Sequence, residues 1–136
     1  MEGKAKILIV DDEEIVCNMA KRCLEQEGYE VTTFVDSTRA MAAIKEERFD
    51  VVITDLKMKE IDGLQLLEFT KTRWPDTRVI MLTAFATLET AMEAVHKKVF
   101  DYFAKPLRIT DLKASVNRAL KERNEIKEGN PHDQTE

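Results

Sequence analysis

Asp11-Asp12, Asp55, Thr83 and Lys105 share a position that could matter chemically. Each sits at or just past the end of a short segment patterned like a strand: Ile7-Leu8-Ile9-Val10, Val51-Val52-Ile53, Val79-Ile80-Met81-Leu82, and Phe100 to Ala104. Carboxylates gathered in one place repel one another, so the group either takes up protons or holds a cation among its members. Oxygen donors suit a hard divalent ion that keeps several waters, which means Mg²⁺. Zinc calls for a Cys/His cluster, whereas His96 and His132 lie apart, one in a helical stretch and one near the C-terminus. A carboxylate beside such an ion and an ammonium is arranged to receive a phosphoryl group. The cation and Lys105 neutralise the transferring oxygens, the carboxylate acts as nucleophile, and the Thr83 hydroxyl can hydrogen-bond a phosphoryl oxygen. Taken singly, these residues need no such role: acidic side chains at strand ends often cap helices, and Asp11-Asp12-Glu13-Glu14 opposes a helix dipole favourably. Their common place after strands one, three, four and five favours chemistry over capping.

The elements that position them alternate along the chain. Ile7 to Val10 is continuously apolar, as expected of a strand buried on both faces. A helix follows with Ile15, Val16, Met19, Ala20, Cys23 and Leu24 at helical spacing, ending at Gly28. Val31 to Phe34 reads as a more polar edge strand, and Ser37 as the cap of a helix carrying Ala40, Met41, Ala43 and Ile44. Asp62-Gly63 opens a helix with Leu64, Leu66, Leu67 and Thr70 that closes before Trp74-Pro75. Leu88, Ala91, Met92 and Val95 mark a fourth helix, and a last one runs from about Thr110 to Ile126. Apolar strands separated by helical crossovers predict a parallel α/β sheet with helices on both faces, whose functional crevice lies beyond the carboxyl ends of its strands.

Composition sets outer bounds. The chain has 136 residues, 43% of them hydrophobic, which is one domain's worth and too apolar for disorder. Its net charge of −5 argues against nucleic-acid binding through a basic face, because that affinity comes largely from Lys and Arg on phosphates. No apolar run approaches the ~18 residues that span a bilayer, and no signal-peptide core follows the N-terminus, so a soluble cytoplasmic domain is expected. Cys17 and Cys23 fall on nearly opposite faces of one helix and suit core filling in a reducing compartment better than a disulfide. From Gly129 onward there is no apolar content, and residues 127–136 are expected to be a disordered tail or the start of a linker after a domain at 1–126.

Ile7-Leu8-Ile9-Val10-Asp11-Asp12-Glu13, Asp55-Leu56-Lys57-Met58 with Asp62-Gly63, Thr83-Ala84, and Asp101-Tyr102-Phe103-Ala104-Lys105-Pro106 together resemble the receiver domain of two-component response regulators, over about residues 5–123. The resemblance implies a flavodoxin-like (CheY-like) sheet in the order 2-1-3-4-5, an arrangement for which such receivers are a standard example. It implies Asp55 as phosphoacceptor, with a sensor histidine kinase or a small phosphodonor as source. Mg²⁺ would be held by Asp12 and Asp55, by Asp11 largely through water, and by the backbone carbonyl of Lys57. Lys105 would pair with the phosphoryl group from a cis Lys105-Pro106 bond, Thr83 would move toward it, and Tyr102 would swing inward as the switch aromatic. Activity would be limited to Mg²⁺-dependent self-phosphorylation and autodephosphorylation.

Thr83 to Ala91, with Phe100-Asp101-Tyr102, is most similar to receivers of NtrC-type sigma-54-dependent activators, in which ATPase and DNA-binding output domains follow. That implies transcription regulation through another module, homodimerisation on phosphorylation, and no direct nucleic-acid or membrane contact by this domain. A stand-alone regulator is an alternative, as is an unphosphorylated interaction module of the same fold. A haloacid-dehalogenase-type phosphatase would want Asp-x-Asp after the first strand, where this chain has Asp11-Asp12-Glu13. Lys59 stands where the family usually has Pro, predicting a less constrained loop or a second cation near the site, and Lys98-Val99 replaces a common Gly-Ala. Leu112, Val116, Ala119, Arg123 and Ile126 follow a spacing of four and three that core packing explains better than a coiled coil.

Overall fold

The computed structural model describes residues 3–128, with side chains through residue 121. The elements run β1 (Lys6–Val10), α1 (Glu14–Gln26), β2 (Glu30–Phe34), α2 (Ser37–Glu46), β3 (Val51–Asp55), α3 (Gly63–Arg73), β4 (Arg78–Thr83), α4 (Leu88–His96), β5 (Asp101–Ala104) and α5 (Ile109–Glu128). All four strand pairings are parallel and give the order β2-β1-β3-β4-β5. This is the expected topology, and the expected tail beyond Glu128 lies outside the described residues.

Alternation along the strands sorts the core into two layers. Ile7, Ile9, Ile53, Ile80 and Leu82 point to the face covered by α1 and α5, where they meet Cys17, Ala20, Leu24, Leu112, Val116 and Ala119. Leu8, Val10, Val52, Val79 and Met81 point to the other face, against Ala40, Ile44, Leu66, Leu67 and Ala94 of α2, α3 and α4. With both faces covered, the strands carry no polar alternation, which is why the central residues of β1, β3 and β4 are mostly apolar and their polar residues sit at or near the ends. The sheet's polar business is displaced to its ends.

The expected cap of α2 is corrected, and the two helices predicted at 15–24 and 88–95 form as expected but with buried lines the spacing did not specify. Ser37 is not the cap of α2; Asp36 is, accepting the Thr38 N–H at 2.9 Å, while Ser37 is buried. On α1 the buried stripe is Cys17, Ala20 and Leu24, and Ile15 and Met19 are 69% and 57% exposed. On α4 only Ala94 is buried, while Leu88, Met92 and Val95 face outward. The physical reason is the same for both helices: spacing shows that a helix has an apolar stripe, whereas docking decides which line approaches the sheet. On α1 that line is Cys17, Ala20 and Leu24, and on α4 it is Ala94 alone, with the larger apolar side chains of α4 turned outward. Cys17 and Cys23 are free thiols, the first buried and the second half-buried.

Two of the turns that follow helices use the left-handed region. Gly28 follows α1 at φ 93, where glycine carries no steric cost. Lys98 occupies the same kind of position after α4 at φ 71, so the Lys98-Val99 substitution keeps the turn with a residue that is strained there. The Lys98 and Val99 N–H groups still close the helix end on Val95 and Ala94 carbonyls at 2.9 and 3.0 Å. Because Leu24 is fully buried and Ile15 and Leu88 are exposed, Leu24→Ala should cost about 2–5 kcal/mol. Ile15→Lys and Leu88→Lys should each stay within about 0.5 kcal/mol; urea denaturation of the three variants checks this.

Candidate functional site

The parallel sheet delivers its strand ends to one edge. Asp11 and Asp12 follow β1, Asp55 and Thr83 are the last residues of β3 and β4, and Lys105 follows β5. The register places Asp55 beside Leu82, and Thr83 beside Ala104. The Lys105 N–H continues this ladder by donating to the Thr83 carbonyl at 2.8 Å.

Ligand oxygens of Asp11, Asp12 and Asp55 all lie within 4.8 Å of one another. Asp11 and Asp55 are buried and Asp12 is exposed, so the cluster opens to solvent through Asp12. The Lys105 ammonium reaches across it, donating to Asp11 Oδ2 at 2.7 Å and to Asp55 Oδ2 at 3.4 Å. Glu13 Oε1 accepts a third bond from it at 3.0 Å. Backbone amides take the remaining carboxylate oxygens: Glu13 N–H donates to Asp11 Oδ1 at 2.9 Å and Leu56 N–H to Asp55 Oδ1 at 2.8 Å.

One ammonium does not balance these carboxylates. Burial, and then the charge of Asp11, push Asp55 up to about 6, against the pull of Lys105 and the Leu56 amide. Burial alone would lower the Lys105 pKa, but hydrogen bonds to Asp11 and Glu13, with the charges of Asp11 and Asp55, outweigh it and raise the value further. The ammonium is therefore fixed and charged, and the residual strain falls on Asp55. Beneath the site the Cys17 thiol contacts the Asp11 carbonyl at 3.4 Å, and burial and then the Asp11 charge push it up to about 11. It is a structural thiol, not a nucleophile.

The flanking residues fall into two groups. The Thr83 hydroxyl is buried and accepts the Phe85 N–H at 2.9 Å. The Lys57 ammonium lies 5.8 Å from the Phe85 ring centroid, so these two exposed side chains pair with each other at the loop tips after β3 and β4. Tyr102 is half-buried, and its hydroxyl shares a 2.7 Å hydrogen bond with Thr90 of α4. Lys59 is exposed and its carbonyl is bound by Ser37. Lys105-Pro106 is cis, as the resemblance implied.

Glu13, Ser37 and Thr90 were not singled out from the sequence as parts of the site. Glu13 had a signal in its place directly after Asp11-Asp12. Ser37 and Thr90 had none, since they reach the site region only through tertiary contacts from α2 and α4. At the base of the cluster Gly63 is irreplaceable on steric grounds: a Cβ there would meet the Asp55 carbonyl oxygen at 2.3 Å and the Leu56 Cα at 2.9 Å.

A doubly wound domain with a carboxylate cluster and a lysine at its carboxyl edge defines a class of cation-binding, phosphoryl-accepting modules. Within it, the sequence profile described as the response regulator receiver domain matches residues 7–117. The chain belongs to that family. It is 35% identical over 120 residues to the transcriptional regulatory protein ZraR of Salmonella typhimurium, covering 88% of this chain and 27% of that protein. A CheY-like receiver domain protein from Methanospirillum hungatei superposes with a TM-score of 0.88 at 32% identity, covering 93% of this chain and all of that one. The beryllofluoride-activated NtrC4 receiver domain dimer gives a TM-score of 0.82 at 31% identity, over 87% of this chain and 98% of that one. The chain spans about a quarter of ZraR's length.

A raised folded-state pKa on an acid means that the fold favours its protonated form. The stability contribution of Asp55 is thus complete below its ordinary value of 3.8 and is lost as pH rises through about 6. Asp55→Asn should accordingly stabilise the metal-free protein at neutral pH by on the order of 2 kcal/mol. The gain should vanish near pH 4, as thermal melts at the two pH values will show.

Proposed function

We propose that the chain is a phosphorylation-controlled signalling switch whose phosphoacceptor is Asp55. The observation that carries this is the mutual approach of Asp11, Asp12 and Asp55 within 4.8 Å around the Lys105 ammonium. All the oxygen donors are hard, two of the carboxylates are buried, and the charge is unbalanced, which fits a divalent ion of the Mg²⁺ type. Asp12 and Asp55 would hold it directly and Asp11 largely through water, with the Lys57 backbone carbonyl completing the protein ligands. Bound there, Mg²⁺ supplies positive charge to the oxygens of the transferring phosphoryl group.

The rest is the work of this chain's residues. A carboxylate oxygen of Asp55 attacks phosphorus, and the bond from phosphorus to the donor's histidine nitrogen breaks. Lys105 is already held in place by Asp11 and Glu13, so it meets the new charge without being recruited from solvent. Thr83, whose oxygen accepts the Phe85 N–H, turns its own O–H to a phosphoryl oxygen, and through that bond the loop after β4 moves with it. Tyr102 then leaves Thr90 and turns inward, shifting α4 and β5. Phosphorylation works only through the difference in these contacts between two conformers.

The donor is a sensor histidine kinase, with small acyl phosphates as substitutes. The output surface is α4, β5 and α5, where Leu88, Met92 and Val95 form an exposed apolar line suited to a second copy of the chain. Residues 1–126 constitute the receiver, and 127–136 begin a linker to ATPase and DNA-binding modules of an NtrC-type activator in the cytoplasm. The domain itself binds neither DNA nor membrane; no described helix is long and apolar enough to cross one. Beyond its own phosphorylation and dephosphorylation it has no catalytic turnover.

Acetyl phosphate with Mg²⁺ should label the protein at one acid-stable, base-labile site, and Asp55→Ala should remove the label. Full labelling of that variant contradicts the assignment. Phe85, paired with Lys57, should hinder in-line attack by water on the aspartyl phosphate. Phe85→Ala should shorten the phosphoryl half-life by about three- to tenfold, equivalent to roughly 1 kcal/mol of barrier. Decay of the labelled protein after rapid desalting gives the ratio.

A further inference from the structure

Just past Asp55 the chain makes a strained turn that a side chain from another element closes. Glu60 has φ 70, a conformation that residues with a Cβ rarely adopt. Across it the Ile61 N–H reaches back to the Lys59 carbonyl at 2.8 Å, a three-residue turn of the strained kind. The Ser37 hydroxyl, in a residue only 3% exposed, donates to that same Lys59 carbonyl at 2.6 Å and accepts the same Ile61 N–H at 3.1 Å. One buried hydroxyl from the first turn of α2 thus grips both ends of the turn.

The other flank of the segment is pinned as well. Leu56 donates its N–H to Asp55 Oδ1 at 2.8 Å, and its carbonyl accepts the Gly63 N–H at 2.8 Å. Lys57 lies between Leu56 and the braced turn at 59–61. Asp12 and Ser37 also line the same cavity, of about 450 Å³, so the brace stands next to the carboxylates. Lys59 occupies a position where proline would stiffen the loop covalently; here the restraint comes from α2.

We infer that Ser37 is a positioning residue for the cation site: by holding the strained turn at 59–61 it fixes the backbone of Lys57 relative to Asp12 and Asp55. This rests on the receiver assignment above. Without the hydroxyl, Glu60 relaxes toward ordinary φ and the loop carrying the Lys57 carbonyl loses its fixed direction. The role is one of geometry, so it depends on the strain at Glu60. Glycine accepts a φ near 70 without steric cost, and Glu60→Gly should therefore make Ser37 less necessary.

The test is an NMR titration of the intact chain with MgCl₂, following the amides of residues 56–61. The wild type should show saturable shifts that Asp12→Asn abolishes. Ser37→Ala should weaken Mg²⁺ binding about tenfold, the low end of what outer-sphere partners of metal ligands contribute. Glu60→Gly should retain wild-type affinity, and in its background Ser37→Ala should cost no more than about threefold. Wild-type affinity in a natively folded Ser37→Ala overturns the Ser37 role and leaves the receiver assignment standing. An equal loss in both backgrounds overturns the strain mechanism. No saturable shifts in the wild type overturn the cation site itself, and the Ser37 role with it.

Discussion

Repulsion among carboxylates at the carboxyl edge of the sheet is the constraint around which this domain is organised. Three acids brought within 4.8 Å, two of them buried, are an unfavourable arrangement that the fold enforces through strand register. Lys105 relieves part of it, at 2.7 Å from Asp11 and 3.4 Å from Asp55, and is spread over three carboxylates in doing so. Burial, and then the charge of Asp11, raises the proton affinity of Asp55 against the pull of Lys105. A site in this condition gains from every added positive charge. Adding a phosphoryl group alone would deepen the repulsion, so in the proposed mechanism chemistry at Asp55 is tied to the cation, and the conformational response to that chemistry.

The apolar scaffold has its own cause in the two-sided burial of a parallel sheet. Both faces of the sheet are covered, leaving the interiors of β1, β3 and β4 mostly to Ile, Val, Leu and Met. Polar side chains accumulate where the strands end, and β1, β3, β4 and β5 all end on the same side because the sheet is parallel. Gly63 lets α3 begin directly against the Asp55 carbonyl, where any side chain would collide. Buried packing beneath and a crowded helix start beside it leave Asp55 little freedom to move away from Asp11. On the β4–β5 side the ties are lighter: Thr83 holds a backbone amide and Tyr102 holds Thr90 by single hydrogen bonds, and the proposed switch uses these two residues.

Strand identity, the order of elements and the convergence of Asp11, Asp12, Asp55, Thr83 and Lys105 were legible in the sequence. Two-sided burial writes itself as uninterrupted apolar runs, and parallel topology fixes where their ends go. Helix faces were less legible. Leu88, Met92 and Val95 have core-like spacing yet face solvent, because Ala94 makes the contact with the sheet. Ser37 has the composition of a cap, but Asp36 caps α2 and frees the Ser37 hydroxyl for a loop more than twenty residues away. Thr90 gives no local hint of Tyr102. Such contacts depend on how elements dock, which residue types at fixed spacing do not specify. Lys98 shows the converse: the turn after α4 survives replacement of the residue best suited to it, since neighbouring helix-end hydrogen bonds hold it.

The account stands on the protonation of one carboxyl. Site-resolved ¹³C NMR of the Asp55 side chain, recorded against pH with and without Mg²⁺, reads it directly. The predicted result is an apparent pKa raised from 3.8 to about 6 in metal-free buffer and a fall well below that value when Mg²⁺ saturates the site. Titration at the ordinary value without the ion, or a raised value that Mg²⁺ leaves unchanged, would contradict it.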